Sequence, residues 1–197
     1  DYMEMLRTGQ IDFFGPTMII PNLPDQFHFT APLFRLGVSA LLRKREHPDL
    51  SELPVPTLES LRDERYQIAV LKRSLPNLIV NTLLKRGDSS LVLCSSDEEA
   101  IEHLTLRGVS RPVHVFVTNS MTALSNAKSR PKDMTLLFAT RETRLTMAEV
   151  AIAIRPDWPE VVPVVNDAIR FLYARGGVTE RLDKLYSGES REVYELG

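Results

Sequence analysis

Gln67-Ile-Ala-Val-Leu-Lys-Arg-Ser-Leu-Pro-Asn-Leu-Ile-Val-Asn-Thr-Leu-Leu-Lys85 reads as a strand, a turn and a helix in succession. Gln67 to Leu71 is a short β-competent run, and apolar residues return at helical spacing from Leu75 to Lys85, with Ser74 as the N-cap residue type between them. The same unit then recurs. Leu91 to Cys94 reads as a strand, Asp97 to Leu106 as a helix opened by Ser96 as N-cap, Val113 to Val117 as a strand and Ser120 to Ala127 as a helix. Strands alternating with helices predict a mostly parallel sheet with helices on its faces.

Working outward, Arg35 to Leu42 is apolar and β-competent, and the polar, proline-marked stretch Arg43 to Pro56 follows as a surface connection. Tyr2 to Thr8 reads as the end of a helix with Gly9 at its left-handed cap, and Ile11 to Phe14 as a buried strand. Gly15 to Pro32 carries four prolines, so a regular helix or central strand is not expected to run through it. Beyond the alternating core, Thr135 to Phe138 is a further short strand and Val150 to Ile154 an apolar strand that returns the chain. Pro159 to Tyr173 is a helix with Val161, Val164, Val165, Ala168, Ile169 and Leu172 on one stripe, closed by Gly176 and Gly177. A last helix is expected over Thr179 to Tyr186. The crossings predict a discontinuous first lobe, residues 1–40 plus 148–197, and a second lobe, residues 41–147.

Composition narrows function mainly by exclusion. Among 197 residues, 24 Lys and Arg stand against 26 Asp and Glu, without a basic cluster interleaved with aromatics, so no nucleic-acid partner is expected. No apolar run is long enough to span a bilayer. A single cysteine, Cys94, rules out an intramolecular disulfide and a CxxC site, and on an apolar strand it reads as an inert core thiol. His28, His47, His103 and His114 show neither HxxxH nor HExxH spacing, so no metal site is predicted and ligation would require convergence in space. No GxSxG elbow, P-loop or GxGxxG occurs, and neither a catalytic residue nor a cofactor is predicted. The chain opens at Asp1 without a methionine, as a mature domain or an excised fragment would.

Four segments together carry a resemblance: Leu6-Arg-Thr-Gly-Gln-Ile-Asp12; Phe27-His-Phe-Thr-Ala-Pro-Leu-Phe34; Leu58-Glu-Ser-Leu61 with Gln67 to Ser74; and Ile152-Ala-Ile-Arg-Pro-Asp157 with Val165, Asn166, Ala168, Ile169, Leu172, Gly176 and Leu182 to Tyr186. In this order they resemble the family 3 extracellular solute-binding proteins. The resemblance implies an α/β, two-lobed type II periplasmic-binding-protein-like fold, with mostly parallel sheets and helices on both faces. Family members have a further strand-helix-strand unit before the position of Asp1, so the first lobe is expected to be incomplete at the N-terminus.

The resemblance also implies where a ligand would be held, in a cleft between the lobes. The family's carboxylate-binding arginine falls on Leu23, and the aspartate that pairs with the ligand's ammonium falls on Asn119. Both charged halves of an amino-acid clamp are replaced. An ordinary α-amino acid would lose two charge-assisted contacts worth roughly 1.5 to 3 kcal/mol each. The remaining ligand-binding candidates are Thr17 and Met18 from the first lobe, with Arg73, Ser74 and Asn119 from the second. Arg73 and Ser74 stand at a helix N-terminus, which suits an anion; the plain alternative is that Arg73 points to solvent and Ser74 only caps the helix.

The expected function is therefore binding of a small extracytoplasmic solute, as a sensor input domain or a transport receptor. Its partners would be a small-molecule ligand, with an organic anion as one candidate class, and a membrane permease or a membrane-tethered signalling domain. Two alternatives remain open: the substrate-binding subunit of an ABC importer for a non-standard amino acid or organic anion, and a dehydratase-like enzyme or non-binding interaction module on the same fold. The periplasmic or extracytoplasmic location follows from the resemblance alone.

Overall fold

The computed structural model describes residues 2–19, 27–44, 54–105, 113–140, 142–177, 180–181 and 194–195. In chain order, α1 (Tyr2–Arg7) leads to β1 (Phe13–Met18), β2 (His28–Phe29) and β3 (Phe34–Arg43). Then come β4 (Ile68–Leu71), α2 (Leu75–Leu83), β5 (Leu91–Cys94), α3 (Asp97–Thr105), β6 (Val115–Asn119), α4 (Ser120–Ser129) and β7 (Met134–Leu137). β8 (Thr146–Ile154), α5 (Val161–Ala174) and β9 (Tyr194–Glu195) follow. The chain divides into two compact units, Asp1–Leu36 with Ala148–Gly197, and Gly37–Met147. Both boundaries fall inside strands, β3 and β8, so unbroken extended chain leads from one unit to the other in each direction.

In the unit Gly37–Met147, β4 lies between β6 and β5 and is parallel to both, Ile68 pairing with Leu91 on one side and Val115 on the other. Being flanked on both sides explains the uninterrupted apolar run: Ile68, Ala69 and Val70 are all fully buried. The sheet is mixed. Parallel pairing holds for β4, β5 and β6, which helices connect, whereas β3 pairs antiparallel with β6 and β7, Leu41 lying opposite both Phe116 and Leu136. Leu41, Phe116, Met134, Ala100 and Leu104 meet in one buried cluster with Cys94. Burying each large member of such a cluster contributes about 1.5 to 3 kcal/mol.

In the other unit, β8 pairs antiparallel with β1 and β2, and Ile154 lies opposite both Phe13 and His28. One expectation needs correcting here. The strand expected to be buried over Ile11 to Phe14 instead spans Phe13–Met18, and Phe13 is 43% exposed. It also passes through Gly15-Pro16, in the stretch expected to exclude a regular helix or a central strand; β1 stands at the end of the strand order, where a proline is admitted. Pro16 offers no N–H to the ladder, and the pairing shifts register between Phe14 and Thr17, so the strand tolerates the proline through a bulge.

The helix expected over Pro159 to Tyr173 forms as α5, but its apolar stripe is largely open. Val164 is 66% exposed and Leu172 50%, and only Ile169 is buried among the helix's residues. One polar contact fastens it to its unit: Asn166 Oδ1 accepts a hydrogen bond from the Ala31 N–H at 2.7 Å. The last helix expected over Thr179 to Tyr186 lies mostly outside the described residues.

Candidate functional site

The three parallel strands end on one edge of the sheet, and a helix begins after each. Because β5 follows β4 on one side while β6, reached through α3, lies on the other, the end of β4 is the point where the strand order reverses. In open α/β sheets this is where ligands are received, since backbone N–H groups of the following helices converge there.

Two of the candidate residues cap those helices. Ser74, extended at φ −98° and ψ 163°, accepts from the Asn77 N–H through Oγ at 3.2 Å and donates to the Leu71 carbonyl at 2.7 Å. Asn119 caps α4: its Oδ1 accepts from the Thr122 N–H at 2.9 Å and its Nδ2 donates to Thr122 Oγ1 at 3.0 Å. Arg73 is exposed and adopts φ 54°, the left-handed geometry that glycine takes most easily. The sequence thus brings Arg73 to the edge in a strained turn, with Ser74 already engaged in the cap.

The edge also holds groups that the sequence reading did not single out. Arg144 packs against Gly37: a β-carbon on residue 37 would stand 2.5 Å from Arg144 Cδ, 3.0 Å from its Nε and 3.2 Å from Ser120 Oγ. Residue 37 must therefore lack a side chain for Arg144 to lie there, and Arg144 and the Ser120 hydroxyl flank the same point. Ser120 is buried and is the first residue of α4, directly after Asn119. Arg144 is itself half-buried, and its Nη1 lies 3.1 Å from Met147 Sδ. Asp97, the first residue of α3, is also half-buried, and burial is the main cause that pushes its carboxyl above the usual carboxylate range. The Glu98 charge adds to that rise, and a hydrogen bond with Thr118 of β6 opposes it.

Cys94, Glu99 and His103 converge nearby, with one potential ligand atom from each lying within 4.8 Å of the others. Their spacing, Cys-x4-Glu-x3-His, matches none of the histidine patterns sought in the sequence. Burial, reinforced by the Glu99 carboxylate and opposed by Lys72, pushes the Cys94 thiol up to about 11.

In the other unit, Thr17 and Met18 lie on β1 opposite Ala151 and Val150, both half-buried, and Leu23 is outside the described residues. A separate shallow pocket there is lined by Asp12, Arg155, Asp157 and Trp158. Arg155 donates to Asp12 at 2.9 Å and to both oxygens of Asp157 at 2.5 Å. Trp158 packs on Phe13 with ring centroids 5.8 Å apart. His28 Nε2 lies 3.0 Å from the Pro156 carbonyl, which gives its polar tip a local partner.

No protein-family model matches the chain, and no curated protein matches it. Solved structures do match, and they define the class: the fold is that of the amino-acid-binding components of ABC transporters, a type II periplasmic-binding-protein fold. The arginine-, lysine-, histidine-binding protein ArtJ from Geobacillus stearothermophilus superposes with a TM-score of 0.75 at 16% identity, over 96% of this chain and 77% of that one. An ancestral arginine-binding protein bound to glutamine gives 0.76 at 19% identity, over 95% and 76%. The ancestral amino acid-binding protein AncCDT-1, a precursor of cyclohexadienyl dehydratase, gives 0.71 at 18% identity, over 92% and 71%. At these identities the likeness is one of fold.

Proposed function

We propose that the chain is a non-enzymatic receptor for a small solute carrying an anionic group, received by Arg144 at the N-terminus of α4. The observation behind this reading is the convergence of Arg144, the side-chain-free Gly37 and the buried Ser120 hydroxyl beside Asn119. A guanidinium offers paired donors to a carboxylate or phosphate, and the helix N-terminus adds positive potential and backbone donors. Arg73, at the start of α2, is a second cation on the same sheet edge.

The amino-acid binding of the matched proteins supports a small polar ligand. Leu23 and Asn119 argue against a standard zwitterion, since neither carries the charge that would pair with a carboxylate or an ammonium. The ABC-transporter context of those proteins supports an extracytoplasmic receptor working with a membrane permease. Loss of the clamp supports instead an input domain of a membrane-tethered signalling protein. Among the described residues no helix is long and apolar enough to cross a membrane.

Calorimetric titration with glutarate, succinate and inorganic phosphate, beside glutamate and aspartate, tests the reading. Binding of an anion without an ammonium, weakened in Arg144→Met, is expected. Equal binding by the wild type and Arg144→Met would reassign the anion site, and Arg73→Ala would then test the other cation.

A further inference from the structure

We propose that Cys94, Glu99 and His103 form a metal site for a zinc-class divalent cation, fastening α3 to the end of β5. The donor atoms come from two elements, a strand end and a helix face, within ten consecutive residues. Cys94 ends β5, Glu99 lies in the first turns of α3, and His103 follows it by four residues, so Glu99 and His103 share one helix face. Their ligand atoms lie within 4.8 Å of one another. Bonds of about 2.0 to 2.3 Å in a tetrahedral site place neighbouring ligand atoms roughly 3.3 to 3.8 Å apart, so closing the set on an ion requires movement of about 1 Å.

The donor chemistry selects the ion. One thiolate, one imidazole and one carboxylate suit zinc and its neighbours, whereas magnesium and calcium call for oxygen ligands throughout. One contact holds a ligand in position, and another anchors the end of the helix that carries the imidazole. The Ser95 N–H donates to Glu99 Oε2 at 2.6 Å, which orients the carboxylate and leaves its other oxygen as a donor to the metal. The Val113 N–H donates to the His103 carbonyl at 3.1 Å, tying the end of α3 to the segment that leads into β6. Three protein ligands leave a fourth position for water. On binding, the Cys94 S–H bond is replaced by a sulfur–metal bond and one proton is released to solvent.

The full chain, stripped with chelator, is titrated with Co2+ and then with Zn2+. Expected are a near-ultraviolet thiolate-to-cobalt charge-transfer band saturating at one equivalent, its loss on adding one equivalent of Zn2+, and release of a proton. Cys94→Ala should abolish the band. His103→Gln, at a half-buried position, should weaken Co2+ binding by roughly tenfold or more, with the unliganded melting temperature measured beside it to show that the fold is kept. Absence of the band in the wild type would overturn the proposal. So would equal Co2+ affinity in wild type and His103→Gln, which would mean that cobalt binds elsewhere.

Discussion

Gly37 leaves the space that Arg144 occupies, since a β-carbon at residue 37 would come within 2.5 Å of Arg144 Cδ. Gly37→Ala should therefore displace the guanidinium while leaving β3 paired. Losing one charge-assisted contact of about 1.5 to 3 kcal/mol corresponds to a loss of roughly tenfold to a hundredfold in affinity for an anionic solute. Calorimetry checks the affinity, and a melting curve close to wild type shows that the change is local. Retained affinity in Gly37→Ala would separate Arg144 from binding.

Gly9 ends α1 at φ +71°, and its missing β-carbon would stand 3.3 Å from Arg155 Nη2. Arg155 joins Asp12, 143 positions away in sequence, to its near neighbour Asp157. Gly9→Ala should cost about 1 to 2 kcal/mol from the left-handed backbone alone. Crowding of Arg155 should add to it. Chemical denaturation measures the loss.

Arg86 is 4% exposed and donates to the carbonyls of Tyr66 at 2.6 Å, Ser90 at 3.1 Å and Leu61 at 3.3 Å. Arg86→Met fills similar volume but strips those carbonyls of a donor. Each unsatisfied buried group costs about 1 to 3 kcal/mol, and for a chain of this length each kcal/mol lowers the melting temperature by about 2 to 4 °C. A fall of several degrees is expected in a thermal melt.

Asp88 accepts from the side-chain amides of Asn81 at 2.9 Å and Asn77 at 3.0 Å, which hold its carboxyl below its ordinary value of 3.8. A carboxyl depressed in the folded state stabilises at pH above its unfolded value, and that contribution is lost as pH falls through the folded value. The stability difference between wild type and Asp88→Asn should therefore narrow as the solution is acidified below about pH 4. Denaturation midpoints between pH 3 and 7, about a unit apart, follow it.

The alternating half of the fold was legible because its signals are local. Ile68 to Leu71 is uniformly apolar where β4 is flanked on both sides, and Ser74 and Ser96 mark helix starts that the structure confirms with hydrogen bonds to Asn77 and Glu99. Where partners are distant in sequence, local signals mislead. Pro16 reads as a breaker, yet β8 carries a strand through it with a bulge. The α5 stripe has helical spacing but is mostly exposed, because periodicity records a helix and not what covers it.

The site was legible only in part for the same reason. Asn119 and Ser74 occupy equivalent N-cap positions, which family spacing located. Arg144 meets Gly37 across 107 positions, and no local pattern encodes that meeting. Cys94, Glu99 and His103 are close in sequence but mix a strand end with a helix face, so neither strand nor helix spacing reveals them alone.

The most direct test of the receptor reading is a thermal-shift titration of wild type and Arg144→Met with glutarate, succinate and inorganic phosphate. A concentration-dependent rise in wild-type melting temperature with at least one of these, reduced in Arg144→Met, is the predicted result. No rise with any of the three, or an identical rise in both proteins, would contradict it.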